Sequence, residues 1–194
     1  MQGTYEARAE NAHFQGADPD QVIKNCIHWL SDEPFSTRPA LLGSYTAAGH
    51  LADYDLALKF VDIALISNPQ AVELKNNKIV ALARLAKVKE ARLMLNSISE
   101  KERRNNPVLR ATEGLVNFRE GNDEIGRNLY RTTINEATGA GNKALAIRAE
   151  AHLLEEEIEA GNLSQLENMP NIKNAFESTK DAQLIRLWNE IEKT

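Results

Sequence analysis

His152, Glu155 and Glu156 form the constellation in this 194-residue chain that comes nearest to a metal site. Their i, i+3 and i+4 spacing would place the three side chains together on one face of a helix. Imidazole and carboxylate groups can bind zinc or iron, but no second helix supplies a matching cluster of histidines or cysteines. Cys26 and His28 are two residues apart, so on a helix they point apart and cannot share an ion. We therefore predict no metal and no other cofactor.

The other candidate motifs indicate surface and connectors. The acidic run Glu155–Glu159 is typical of a solvated helix face, and SEKERRNN (Ser99–Asn106) is predicted to be a solvated connector. Gly139-Ala140-Gly141 follows no strand and precedes no suitably placed lysine, so it is not predicted to bind phosphate. We find no nucleophile, base and orienting group at spacings that suggest a catalytic set. The chain is therefore predicted not to be an enzyme.

Composition and charge exclude several classes of partner. The net charge of −5 argues against nucleic acid, because binding the phosphate backbone requires a dense positive surface. The single cysteine excludes an internal disulfide and suits a reducing compartment. No apolar run reaches membrane-spanning length, and residues 1–14 lack the apolar core of a signal peptide. We predict a cytoplasmic location without membrane or nucleic acid partners, although a fragment of a longer chain would begin in the same way.

The segment Asp53–Pro69 (DYDLALKFVDIALISNP) carries the clearest helix signal. Asp53 suits the N-cap, where a carboxylate accepts unpaired backbone N–H groups, and Pro69 cannot continue a helix. Five apolar residues between them repeat with helical period and share one face: Ala57, Phe60, Val61, Ala64 and Leu65. Such a helix needs neighbours against which it can bury this stripe.

Similar helices recur along the chain at a nearly constant period. Markers at equivalent positions are separated by 35, 34, 35 and 40 residues: Val22, Ala57, Ala91, Gly126 and Leu166. Five residues before each marker stands a small residue where the chain is predicted to turn between two helices: Ala17, Ala52, Ala86, Gly121 and Gly161. A period near 34 residues with helix–turn–helix content is typical of a helical solenoid.

At these residues the chain resembles the tetratricopeptide repeat (TPR) family. Two stretches match the family pattern: Tyr54, Ala57, Ala64 and Pro69, then Gly114, Phe118, Gly121 and Tyr130. In the second stretch, Gly126 stands in place of the usual alanine. The resemblance implies an all-α fold, a right-handed α-solenoid of about five TPR-like helix-turn-helix units with a C-terminal capping helix. The expected units are residues 3–35, 36–70, 71–106, 107–141 and 142–176, with the capping helix at 179–193, in a single domain of residues 1–194.

In this family, the first helix of each unit lines an inner groove that holds an extended peptide or a partner helix. Mapped onto this chain, the groove contains Asn76, Asn77, Val80, Arg84, Thr112, Leu115, Phe118, Arg119, Arg148, His152 and Glu155. Asparagine amides can hold a peptide backbone, the arginines favour acidic residues in the partner segment, and Leu115 and Phe118 favour apolar ones. Leu115 and Phe118 have an alternative role as core between repeats.

The resemblance implies a protein–protein interaction module, a scaffold or adaptor that binds a peptide or partner helix in the groove. The alternative is a regulatory or sensor TPR arm of a larger protein, such as an enzyme or a transcription regulator. The sequence predicts neither the identity of the partner nor the oligomeric state.

Overall fold

Among the residues that the structure describes, all regular secondary structure is helical. The structure is a computed structural model, and it describes residues 3–162, 173, 174, 176 and 182–193. The helices in chain order are α1 (Tyr5–Phe14), α2 (Pro19–Asp32), α3 (Arg38–His50), α4 (Tyr54–Ser67), α5 (Val72–Arg84), α6 (Val88–Asn96), α7 (Glu100–Asn105), α8 (Pro107–Arg119), α9 (Asp123–Gly139), α10 (Lys143–Glu159) and α11 (Ala182–Ile191). The predicted all-α fold is confirmed.

The chain divides into two compact units, Met1–Leu95 and Asn96–Thr194. In the first unit, each of α1 to α4 packs against the next helix in the chain, and α3 also packs against α5. This is the arrangement expected of stacked helix pairs, in which first helices contact first helices. The buried ring of Trp29 belongs to this unit, and the guanidinium carbon of Arg38 lies 5.2 Å from its centroid.

Helix α4 shows how the apolar stripe is used. The helix begins at Tyr54, and the Asp53 carboxylate accepts a hydrogen bond from the backbone N–H of Leu56 at 2.8 Å, so the predicted N-cap is confirmed. Ala57 and Ala64 are both fully buried. Phe60 lies against Gly43 on α3, where an added Cβ atom would be 2.5 Å from the phenylalanine ring. Small residues on α3 and α4 therefore allow the close packing of these two helices.

The second unit repeats this packing. Helix α8 packs against α9, α9 against α10, and the first helices α8 and α10 contact each other. Helix α11 packs on α10. The ring centroids of Trp188 and Phe176 are 5.2 Å apart, in a core that includes Ala151 and Leu154. Helix α11 falls within the range predicted for a capping helix. The marker Leu166 and residues 179–181 lie outside the described residues.

Helix α7 lies within Ser99–Asn106, the segment predicted to be a solvated connector, and none of its residues is buried. Ser99 caps this short helix by accepting a hydrogen bond from the backbone N–H of Glu102. The Glu102 carboxylate accepts one in return from the backbone N–H of Ser99 at 3.2 Å. This reciprocal capping box satisfies two backbone donors, so the S-x-x-E spacing was the signal for a helix start.

The turns between helices use residues with left-handed backbone. Four of the five predicted turn residues have positive φ: Ala52, Ala86, Gly121 and Gly161. In the first turn the left-handed residue is Gly16 rather than Ala17, because glycine adopts this conformation without a Cβ clash. At Ala86, the backbone N–H of Lys87 donates to the Leu82 carbonyl at 2.9 Å and that of Ala86 to the Ala83 carbonyl at 3.1 Å. These two bonds form a Schellman motif that ends α5.

We expect Ala86→Gly to stabilise the protein, although it removes a methyl group. Ala86 has a φ of +57°, and a left-handed alanine costs about 1 kcal/mol relative to glycine. The matched control is Gly121→Ala, which puts a Cβ on an equivalent turn residue with a φ of +79° and should destabilise by about 1 kcal/mol. Urea unfolding of both variants measures the two shifts. A lower midpoint for Ala86→Gly would contradict the prediction.

Candidate binding surface on the first helices

The positions predicted to bind a partner lie on α5 in the first unit and on α8 and α10 in the second, and we call the side chains on each unit its first-helix surface. On α5, the four positions Asn76, Asn77, Val80 and Arg84 are half-buried. The Asn77 amide donates a hydrogen bond to the Ser44 hydroxyl on α3 at 2.9 Å. Asn77 therefore holds two neighbouring first helices together, while its neighbour Asn76 retains part of its surface.

Three of the four predicted positions on α8 are buried. Thr112, Leu115 and Phe118 retain at most a few per cent of their surface. The Phe118 ring lies 6.2 Å from that of Tyr130 and touches the α8–α9 crossing at Gly126, where an added Cβ would be 2.6 Å from the ring. Leu115 and Phe118 are therefore buried, and Phe118 packs against α9 of its own helix pair. Only Arg119 of this group keeps appreciable exposure.

The three predicted positions on α10 are half-buried and lie on successive turns. Arg148, His152 and Glu155 have i, i+4 and i+7 spacing, so they share one helix face. His152 Nδ1 lies 3.4 Å from a carboxylate oxygen of Glu155, as their i, i+3 spacing predicts. This face of α10 therefore combines a cation, an imidazole and a carboxylate.

Buried carboxylates join α10 to α8 and α9. The Arg119 guanidinium on α8 donates to Glu156 at 2.9 Å and also pairs with Glu159. On α9, Arg127 forms two hydrogen bonds to the Glu157 carboxylate, one of them 2.7 Å long, and Glu157 also accepts one from the Asn162 amide at 3.1 Å. The hydrogen bonds that the Arg127 guanidinium donates to Glu157 raise its pKa above the ordinary value.

The expectation of a solvated acidic face at Glu155–Glu159 is wrong for Glu156 and Glu157, which are 2% and 0% exposed. A charge run indicates solvent only where no cation from another helix compensates it, because a buried carboxylate needs a partner. Here Arg119 and Arg127 supply the partners from α8 and α9. These pairs lie 37 and 30 residues apart in sequence, near the repeat period, so the period could have suggested them.

The described residues offer no metal centre. They include no group of three or more histidine, cysteine, aspartate or glutamate side chains that could hold an ion. The thiol of Cys26 is buried, and burial raises its pKa to about 12, so it stays protonated and a poor nucleophile. Within the described ranges, each helix is too short or too polar to cross a membrane.

A second cluster of side chains on first helices was not predicted. The rings of His13, Phe14, Tyr45 and His50 meet near the C-terminal ends of α1 and α3, and we call them the aromatic cluster. His13 is at its centre, with ring centroids 5.6 Å from Phe14, 5.8 Å from Tyr45 and 6.1 Å from His50. Phe14 and His50 each stand two residues before a left-handed turn residue, Gly16 and Ala52. This shared position in the repeat could have indicated the cluster from the sequence.

Comparison with solved structures finds proteins with a similar fold. MamA from Desulfovibrio magneticus RS-1, as a chain running from residue 41 to its end, superposes with a TM-score of 0.58 at 16% identity, covering 91% of this chain and 96% of its own. The RS-1 ArsTM double mutant of MamA gives 0.57 at 16% identity, covering 91% and 94%. No protein-family model and no curated protein sequence matches the chain. MamA is a TPR-like helical-repeat protein, and this chain has the same TPR-like solenoid fold that its sequence pattern predicts.

Proposed function

We propose that this chain is a protein-interaction module whose two units each bind part of a partner on their first helices. The observation that carries the proposal is the side-by-side packing of first helices within each unit, α3 against α5 and α8 against α10. Half-buried polar side chains remain on these helices, among them Asn76 on α5 and Arg148 on α10. Repeat proteins built from stacked helix pairs use extended surfaces of this kind to hold their partners.

The proposed partner segment carries acidic and apolar residues. Arg84 in the first unit and Arg148 in the second would each face carboxylates of the partner, and Val80 would contact its apolar side chains. The amide of Asn76 would bond to its backbone, since an asparagine side chain both donates and accepts. Arg119 contributes less to recognition than the sequence suggests, because its guanidinium already binds Glu156 and Glu159.

The proposal is tested by placing a photo-crosslinking amino acid at single positions in cells. We expect Asn76 and Arg148, on first helices, to trap the same protein. The matched control positions are Lys59 on α4 and Arg131 on α9, which are exposed charged residues on second helices. Equal capture of that protein from the control positions would move the binding surface to the second helices and overturn the proposal.

Once the trapped protein is purified, Arg148→Glu should weaken its binding by about tenfold at low salt, and by less at high salt. The reason is that reversing a charge at an interface replaces attraction by repulsion, and salt screens both. Arg131→Glu, the control on α9, should leave the dissociation constant unchanged. Isothermal titration at two salt concentrations measures both. Tighter binding by Arg148→Glu would show that the partner segment is basic at this point.

A further inference from the structure

We propose that the aromatic cluster of His13, Phe14, Tyr45 and His50 is a subsite for a lysine or arginine side chain of the partner segment. The inference rests on the proposed function and refines it for the first unit. It assigns to α1 and α3 a partner chemistry opposite in charge to that proposed for Arg84 on α5 and Arg148 on α10.

The rings are arranged so that a ligand can reach them. His13, Tyr45 and His50 contact one another edge to face, with interplanar angles of 71° to 86°, so they form a corner rather than a closed stack. These three side chains are half-buried, which fixes the corner, whereas Phe14 beside them is 82% exposed. Because the Phe14 ring is exposed beside these fixed rings, it offers an open aromatic face to a bound group.

The backbone around the cluster favours a positive charge. The C-terminus of a helix carries a partial negative charge, and α1 and α3 both end at the cluster. The equivalent last turns of α5 and α8 contain Arg84 and Arg119, whose cations complement that charge. The last turns of α1 and α3 contain His13 and His50 instead, with no lysine or arginine. A cation supplied by the partner would take the place that Arg84 and Arg119 occupy on α5 and α8, whereas the last turn of α10 also contains no lysine or arginine.

The rings favour the same occupant. The face of an aromatic ring is electron-rich and attracts a lysine or arginine cation within about 6 Å of its centroid. A carboxylate would be repelled by the ring faces and by both helix ends. A neutral apolar side chain would gain contact area but no electrostatic attraction, so a matched pair of probes separates the two.

The probes are the peptides acetyl-Gly-Lys-Gly-amide and acetyl-Gly-norleucine-Gly-amide, which differ only in the terminal ammonium group. They are titrated at pH 8 into the whole chain with ¹³C-labelled histidine and tyrosine, and the ring resonances are followed. We expect saturable shifts at His13, Tyr45 and His50 and an affinity for the lysine peptide that is roughly fivefold or more above that for the norleucine peptide. Equal affinities, or shifts that avoid these rings, would overturn the inference.

Two variants locate the effect. Tyr45→Leu should reduce the lysine preference to nearly that of the norleucine peptide, whereas Tyr54→Leu on α4, a half-buried tyrosine outside the cluster, should keep it. If Tyr45→Leu disturbs folding, Phe14→Ala provides the second variant, because its exposed ring contributes little to the core. Phe14→Ala with an unchanged preference would contradict an open face at that ring.

The peptide titration and the crosslinking experiment test the two proposals independently. A protein trapped at Asn76 and Arg148 together with equal peptide affinities would remove the cation subsite and leave the proposed function. A lysine-selective cluster with no first-helix capture would remove the proposed function and leave a cation site of another purpose.

Discussion

Replacing Arg127 by alanine should lower the free energy of unfolding by about 3–5 kcal/mol, the range found when one partner of a buried ion pair is removed. The Glu157 carboxylate is fully buried, and two of its hydrogen bonds come from the Arg127 guanidinium. Without that cation, Glu157 must stay charged in a poorly solvated place or bind a proton. The remaining bond from the Asn162 amide cannot replace a charge.

Two companion variants make this result specific. Arg131→Ala removes an exposed arginine from the same helix and should change stability by less than about 0.5 kcal/mol. The double variant Arg127→Met with Glu157→Leu removes both charges and should recover most of the loss, since a well-packed apolar pair avoids desolvation. Urea unfolding measures all three. If the double variant were as unstable as Arg127→Ala, lost packing rather than an unpaired carboxylate would be the cause.

A single methyl group at Gly126 should destabilise the protein by about 1–3 kcal/mol, the usual cost of overpacking. The added Cβ would lie 2.6 Å from the Phe118 ring and 2.8 Å from the backbone carbonyl oxygen of Gly114. The ring can shift, but the carbonyl belongs to α8, so α8 and α9 would have to move apart. This cost opposes the gain of about 1 kcal/mol that alanine has over glycine within a helix.

Helix α9 contains its own control. Gly139, at the other end of the same helix, has nothing within 4 Å of an added Cβ. Gly139→Ala should therefore stabilise by about 0.5 kcal/mol, because it restricts the unfolded chain without a clash. A loss of stability for Gly126→Ala and a gain for Gly139→Ala, measured by thermal or urea unfolding, would establish the close approach at Gly126. Stabilisation by both would show that α8 and α9 are not in tight contact there.

The helical fold could be predicted from the sequence because its signals are local. The period of apolar residues, the Asp53 cap and the small residues before each second helix all depend on residues within one or two turns. Local signals do not explain why Gly126 stands where the family has alanine. Phe118 comes from the preceding helix to fill that space, and only the packing of α8 on α9 shows it.

The surface was harder to predict than the fold, because a helical stripe does not show which of its edges is covered by a neighbour. A small error in helix rotation separates a partner-binding side chain from a core side chain, as Leu115 and Phe118 show. Charge runs are ambiguous for a related reason. Glu156 and Glu157 look solvated in sequence, and their burial depends on cations that the fold brings from 30 or more residues away.

The two tryptophans of the chain fall one in each compact unit, Trp29 in the first and Trp188 in the second. Each is therefore an intrinsic fluorophore for its own half of the chain, and Trp29→Phe or Trp188→Phe leaves emission from one half alone. If residues 1–194 form the single domain that the sequence predicts, both emission signals should change at one urea concentration. Separate midpoints would mean that the repeat array melts in two cooperative blocks, with no label needed to see them.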